Sequence, residues 1–384
     1  MRYGSVCSGV EAASLAWESL GWQPAWFAEI EPFPAAVLNH HWPHVPNHGD
    51  MTQLEARILS GEIEAPDILV GGTPCQAFSV AGLRNSLDDE RGNLTLVLVR
   101  ILNAIDEVRK RLGKPPAILV WENVPGVLNT KDNAFGSFLA GLAGEELPLE
   151  PAGKRWTNAG CVFGEQRSIA WRVLDAQFFG VPQRRRRVFL VASAGDVNPA
   201  EILFERQGES RGVTPSESEK QDVAGFIEAG FGDFKRRNQA GTLKRTGGAI
   251  GGGSETLVVH GRQDPCVSDK AFCLDNQGAG NTNVVVTVPA TLSTGCGSRG
   301  LDSEQERSGK GWVGETPFAV RRLTVEECER LQGFPDGHTQ IPWRGKPAEE
   351  CPDAPRYKAC GNSMAVPCMR FIGKRIQGFL NEQI

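Results

Sequence analysis

With 384 residues, 40% hydrophobic and 23% charged, the chain has ordinary globular composition and enough length for two domains with ample core. No apolar run reaches the roughly 18 residues that a membrane span needs, and the ten cysteines include no Cys-x-x-Cys pair, which argues against structural zinc and suits a reducing cytoplasm. The formal net charge of −5 does not mark a nucleic-acid binder, but the basic runs Arg184–Arg187, Lys235–Arg237 and Arg321-Arg322 supply a local phosphate-binding face.

The N-terminus, Met1-Arg-Tyr-Gly-Ser-Val6, opens directly in a strand-like pattern, and no signal peptide is expected. Residues 1–195 alternate short apolar runs with amphipathic segments, the pattern of a doubly wound α/β sheet. Strands are predicted at Arg2–Val6, Ala25–Ile30, Asp67–Val70, Ala117–Trp121, Ser168–Leu174 and Val188–Ala192. Helices are predicted at Glu11–Leu20, Pro34–His41, Thr52–Ser60 and Leu94–Arg111. The first turn, Cys7-Ser-Gly-Val-Glu11, is a small-residue loop running into a helix, which suits a nucleotide-type cofactor but lacks G-x-G-x-x-G. Acids end the second strand at Glu29 and Glu31, where a dinucleotide fold binds ribose hydroxyls; a solvated strand end reads the same way.

The third strand runs into Gly71-Gly-Thr-Pro-Cys-Gln-Ala-Phe-Ser-Val-Ala-Gly82. Pro74 fixes its own φ and biases Thr73 away from helix, so Cys75 stands on a stiff frame at a strand's carboxyl end. Ligands of open α/β sheets bind there, and a thiol at that place is a candidate nucleophile. The competing reading is a buried, inert cysteine. Asp88-Asp-Glu-Arg-Gly92 is a charged turn before the long helix.

Leu119-Val-Trp-Glu-Asn-Val124 carries Glu122 off the end of the next apolar strand, onto the rim that holds Cys75. A carboxyl of raised pKa in such a cleft donates a proton to a ring nitrogen; a structural pair with an arginine is the alternative. Residues 144–166 have no clear period and read as a surface insertion. In Val181-Pro-Gln-Arg-Arg-Arg-Arg-Val188, strand alternation puts Arg185 and Arg187 on one face, unless the run is only a solvated polyanion patch.

After Ala194 the composition turns Gly-, Ser- and Thr-rich to about residue 320. Ala240–Leu243 followed by Thr256–Val259, Cys273-Leu-Asp-Asn followed by Asn283–Val286, and Ala290–Leu292 form a loose echo of twisted β units with Gly-rich loops, the alternative being a flexible low-complexity linker. An amphipathic helix is predicted from Arg321 to Leu331, stopped by Gly333 and Pro335. Tyr357–Pro367 then leads into an apolar helix, Met369–Leu380.

Taken together, Pro74-Cys-Gln-Ala-Phe-Ser79, Arg91-Gly92, Glu122-Asn-Val124, Gln183–Arg187, Arg321–Pro335 and Gly361-Asn-Ser363 resemble, in order, the motifs of the DNA (cytosine-5) methyltransferases. The resemblance implies a Rossmann-like S-adenosylmethionine (AdoMet) domain from 1–195 completed by 356–384, with a smaller, mostly β target-recognition domain at 196–345. It implies methyl transfer from AdoMet to C5 of a flipped cytosine in double-stranded DNA, without a metal, by a cytoplasmic enzyme that is a monomer on DNA. By resemblance Cys75 is the nucleophile, Glu122 binds N3 and the exocyclic amine, Arg187 contacts O2, and Arg185 supports it.

Cys7, Gly9, Val10, Glu29, Ile30, Asp50, Met51, Pro74, Leu94, Asn362 and Met364 would surround AdoMet, with Glu29 on ribose and Asp50 on the adenine amine. Gln76 and Ser79 would face DNA, and one of the Thr-Leu pairs Thr242-Leu243 and Thr291-Leu292 would read it. The first motif departs from the family pattern: Cys7 replaces an aromatic and Glu11 the second glycine. A tRNA cytosine-5 methyltransferase shares these motifs, though the long Gly-rich insert favours a duplex-DNA reader. A catalytically silent relative would be expected to lose Cys75 or Glu122, and a cysteine hydrolase would need a histidine partner that the motif loops lack.

Overall fold

The computed structural model describes residues 1–74, 94–204 and 323–382, together with the backbone of five strands between residues 225 and 322. Seven strands form the main sheet: β1 (Arg2–Val6), β2 (Gln23–Ala28), β3 (Ile68–Gly71), β4 (Ile118–Asn123), β5 (Ala159–Phe163), β6 (Ser168–Asp175) and β7 (Arg186–Ser193). Their order is β2-β1-β3-β4-β7-β6-β5. The first four are parallel, whereas β7, β6 and β5 add in antiparallel pairings.

Burial follows the two-residue period of a strand. Leu119 and Trp121 of β4 enter one apolar layer with Leu98, Ile101 and Phe138; Ile118 and Val120 enter the other with Trp17, Val37 and Ile372. The first layer holds the helices Leu54–Leu59, Leu94–Arg111 and Ala134–Ala143. The second holds Ala12–Trp17, Pro32–His41 and the C-terminal helix Val366–Glu382. Both faces are therefore covered, as a largely parallel sheet requires.

The ends of the chain meet across the second layer. Trp17 Nε1 donates to the Met369 carbonyl at 2.9 Å and Trp22 Nε1 to Gln377 Oε1 at 2.8 Å. The missing side chain of Gly373 admits the Trp17 ring, which a Cβ there would strike. Phe334, Ile341 and Cys351 are buried in this same layer.

A second, five-stranded sheet has the order β11-β12-β10-β8-β9 and purely antiparallel pairings, with β8 at Gly225–Gly230, β9 at Asp233–Arg237, β10 at Glu255–His260, β11 at Val284–Val285 and β12 at Ala319–Arg322. The Thr256–Val259 run lies in β10. The other parts of the echo, at 240–243, 273–276 and 290–292, lie outside the described residues.

Several elements differ from expectation. Arg321-Arg322 ends a strand, and the following helix is Val325–Gln332, because Thr324 and Glu327 close a capping box there. The 144–166 stretch is not wholly irregular: Ala159–Phe163 pairs with β6 at the sheet's edge. Helices Ala134–Ala143 and Asp353–Asn362 were not expected; the first is buried on nearly every side and so shows no amphipathic stripe.

Candidate active site

The carboxyl ends of β1, β2, β3 and β4 share one rim of the sheet. Because β7 is antiparallel to β4, its first residues arrive at that same rim. The described site is thus made of the loop after β1, the acids after β2, the turn after β3, the end of β4 and the start of β7.

Loop 7–11 turns sharply. Cys7, Gly9 and Glu11 all have positive φ, at 49°, 58° and 63°. Gly9 N–H donates to Glu29 Oε2 at 2.8 Å, while Glu31 N–H donates to Glu29 Oε1 at 2.7 Å. Both carboxylate oxygens are thereby oriented, and each keeps a lone pair for a further donor. Glu29 is buried, and burial raises its pKa despite these amide donors. Beside it Ile30 is 69% exposed, an apolar surface with no protein cover. Val10 is fully buried, and its carbonyl lies 2.8 Å from His338 Nε2. Cys7 Sγ lies 3.7 Å from Met51 Sδ, and Asp50 caps the short helix that begins at Met51 through Thr52 N–H.

The turn after β3 is held from two sides. Trp121 Nε1 donates to Thr73 Oγ1 at 3.0 Å, Asn123 Nδ2 donates to the Thr73 carbonyl at 2.9 Å, and the hydroxyls of Thr73 and Thr95 are 2.8 Å apart. Thr95 lies one residue after Leu94, the first of the long helix. The backbone entering Pro74 is consequently fixed. Pro74 itself is exposed, while Cys75, Gln76 and Ser79 lie outside the described residues, as do Thr242, Leu243, Thr291 and Leu292.

Glu122 projects from the last turn of β4 into a buried position against Gly72. A Cβ at Gly72 would stand 3.3 Å from Glu122 Oε2 and 3.3 Å from Met364 Cε, closer than ordinary van der Waals contact, so a side chain here would have to push these groups aside. Arg187 Nε is 3.2 Å from Glu122 Oε1, an ion-pair distance without a hydrogen bond's alignment, so Oε1 has no hydrogen-bond partner here. Burial pushes the Glu122 carboxyl above its ordinary range, with Arg185 and Arg187 pulling the other way.

Arg185 is buried and donates through one terminal nitrogen to the carbonyls of Gly361 (3.1 Å) and Ser363 (2.6 Å). Burial lowers its pKa to about 9, the Arg187 charge adding to the effect. It ties the start of β7 to the turn carrying Asn362, which is exposed, and Met364. The face shared by Arg185 and Arg187 is the one that carries Phe189 and Val191 into the second apolar layer.

The structure therefore gathers Gly72, Thr73, Glu122, Arg187 and Met364 at one point, and Gly9, Glu29 and Ile30 at a neighbouring one. Sequence reasoning missed Asn123 and Trp121 as clamps on Thr73; an Asn directly after Glu122 on a rim was the available signal. It also missed His338, whose role at Val10 joins residues far apart in sequence and leaves no local pattern. Among the described residues no three His, Cys, Asp or Glu side chains converge as a metal site. None of their helices is long and apolar enough to cross a membrane.

An Escherichia phage P1 protein named DNA N-6-adenine-methyltransferase is 44% identical over 97% of this chain. The chain spans only 61% of that relative's length. Type II methyltransferase M2.BsuMI of Bacillus subtilis is 23% identical over 98% of the chain and 75% of its own length. The crystal structure of a Spodoptera frugiperda DNMT2 mutant shares the fold, with a TM-score of 0.59 at 16% identity and 99% coverage of both chains. The family described as C-5 cytosine-specific DNA methylase matches residues 1–378, and the chain belongs to that family.

Proposed function

We propose that this protein methylates C5 of a cytosine in a specific double-stranded DNA sequence, through a covalent bond between Cys75 and C6. The observation that carries the reading is the buried Glu122 carboxyl, set against Gly72 in the turn after β3 and beside Arg187. Cytosine C5 is a weak nucleophile until the ring is activated. The Cys75 thiolate adds to C6, making C5 an enamine carbon that takes the methyl group, while Glu122 stabilises the change at N3 and the exocyclic amine. Loss of the C5 proton to a base then expels the Cys75 thiolate from C6 and restores the ring. A carboxyl whose pKa burial has raised is suited to hold a proton at N3. Arg187 binds O2, Arg185 fixes the backbone that places it, and the cytosine leaves the helix stack to reach them.

AdoMet, when bound, supplies an electrophilic methyl group on a cationic sulfur. The residues present fit it: Glu29 has lone pairs free for ribose hydroxyls, and the exposed Ile30 offers an apolar face to the adenine. Asp50, Leu94, Pro74, Asn362 and Met364 complete the ring of candidates, with no metal required. We assign catalysis to residues 1–195 with 356–384, and DNA reading to 196–345, with Gln76, Ser79 and one Thr-Leu pair as DNA contacts.

The phage P1 relative's name points to adenine instead. We retain cytosine because the cytosine-specific family covers residues 1–378, whereas roughly two fifths of that relative has no counterpart in this chain. A duplex carrying 5-fluorocytosine at the target tests the mechanism, since the C5 fluorine cannot leave as a proton does. A denaturation-resistant protein–DNA adduct is expected with the parent protein and none with Cys75→Ser. An adduct in both, or in neither, would remove Cys75 from the mechanism.

A further inference from the structure

We infer that Glu11 is a specificity-determining residue of the cofactor site: together with Glu29 it presents uncompensated negative charge that biases the site toward cationic AdoMet over its neutral product, S-adenosylhomocysteine. The inference rests on reading 7–11 as the cofactor loop. Glu11 occupies a left-handed backbone position, φ 63°, that glycine fills without strain, yet the chain places a carboxylate there. Its side chain is 1% exposed and turns back into the loop. Ser5 Oγ donates to one oxygen at 2.8 Å and Ser14 N–H to the other at 3.2 Å, while Tyr3 OH donates to Ser14 Oγ at 2.7 Å. These donors are neutral. They orient the carboxyl group and bring no countercharge to it.

The cation Lys358 pairs with Glu31, two residues beyond Glu29, at 2.9 Å. Among the described residues neither Glu11 nor Glu29 forms an ion pair; burial raises the pKa of each, with repulsion from Glu29 adding to the rise at Glu11 and repulsion from Glu31 to that at Glu29. Tyr3 on β1 and Cys7 in the loop are held in their neutral forms by burial. His338, on the carbonyl of Val10, is likewise held neutral, with a pKa of about 4. The C-terminal helix meets Ala12–Trp17 through Met369 and Gly373, which carry no charge. One buried carboxylate, Glu29, thus accepts from Gly9 N–H, and a second, Glu11, stands two residues further along the same loop. AdoMet and S-adenosylhomocysteine share every binding group except the methyl and the positive charge on sulfur. A charge-dependent interaction is the feature that separates them, and a buried site screens it little.

Burial holds the Glu11 carboxyl up at about 7, so part of the population is protonated at neutral pH without a ligand. A cation alongside favours the ionised form. AdoMet affinity should therefore weaken as pH falls below about 7, and the product's should not follow.

The test is calorimetric titration of the full chain with AdoMet and with S-adenosylhomocysteine at about pH 6 and about pH 8, in the parent, Glu11→Gln and Glu11→Gly. Glycine is the fold-safe change and glutamine the near-isosteric one. Both variants are expected to shift the affinity ratio roughly tenfold toward the product and to lose the ratio's pH dependence. Equal weakening for both ligands would reduce Glu11 to a helix cap and overturn the inference, as would an unchanged ratio in either folded variant. A parent protein that binds neither ligand would instead overturn the cofactor reading on which the inference stands.

Discussion

At the scale of single residues, the Glu122 carboxyl and the His338 imidazole each carry a burial cost that can be measured. Glu122 meets Arg187 at ion-pair distance, yet burial still raises its pKa, which shifts the carboxyl toward its proton-holding form. Glu122→Gln keeps the volume and removes the titrating proton. It should slow the single-turnover methyl-transfer step by roughly a hundredfold or more while AdoMet affinity changes little. Unchanged single-turnover rates would return Glu122 to a structural role.

His338 gives a pH signature of known sign. Its folded pKa is depressed to about 4 from 6.5, so the unfolded chain takes the proton first and its stabilisation is lost as pH falls from about 6.5 toward 4. Glu11 acts oppositely: its folded pKa is raised to about 7 from 4.5, so its contribution is present at low pH and lost as pH rises to about 7. Urea midpoints of ligand-free His338→Gln and Glu11→Gln, each relative to the parent, should drift in opposite directions with pH. Parallel drifts would show that one of the two burial sites is misassigned.

At the scale of elements, the neck of the turn after β3 is the feature on which the site depends. Thr73 is gripped by Trp121, Asn123 and Thr95, which fixes the backbone as far as Pro74 before any ligand arrives. Thr73→Val would leave Trp121 Nε1 without its acceptor in a buried place. A loss of about 1–3 kcal/mol is expected by chemical denaturation, with a larger proportional loss of methyl transfer. Stability and activity both at parent level would free the neck of this role.

Much of this layer was legible beforehand. The apolar β-branched runs marked β1, β3, β4, β6 and β7, and strand alternation put Arg185 and Arg187 on one face. What escaped has physical causes. Ala159–Phe163 is an edge strand whose side chains alternate between exposed and half-buried, so its sequence carries no buried run. Ala134–Ala143 is apolar all round, and Asp353–Asn362 contains Gly361 close to its end, so neither shows a helical stripe. His338 acts on a carbonyl 328 positions earlier, a contact that no local period encodes.

At the scale of the whole molecule, two sheets of different kinds divide the chain: a mixed seven-stranded one that carries the rim, and an antiparallel five-stranded one between residues 225 and 322. If the latter reads DNA, transplanting residues 196–320 from a relative of different specificity should change which cytosine is methylated and leave AdoMet affinity near the parent value. A folded, active graft that kept the original target would move recognition into residues 1–195. The cytosine assignment is itself the central claim, and a phage relative named for adenine makes it sharp. The most direct measurement is to incubate the purified chain with unmethylated duplex DNA and methyl-labelled AdoMet, digest the DNA to nucleosides and identify the labelled one by mass. The account predicts label in 5-methylcytosine alone and none with Cys75→Ser, whereas label in N6-methyladenine, or 5-methylcytosine undiminished in Cys75→Ser, would contradict it.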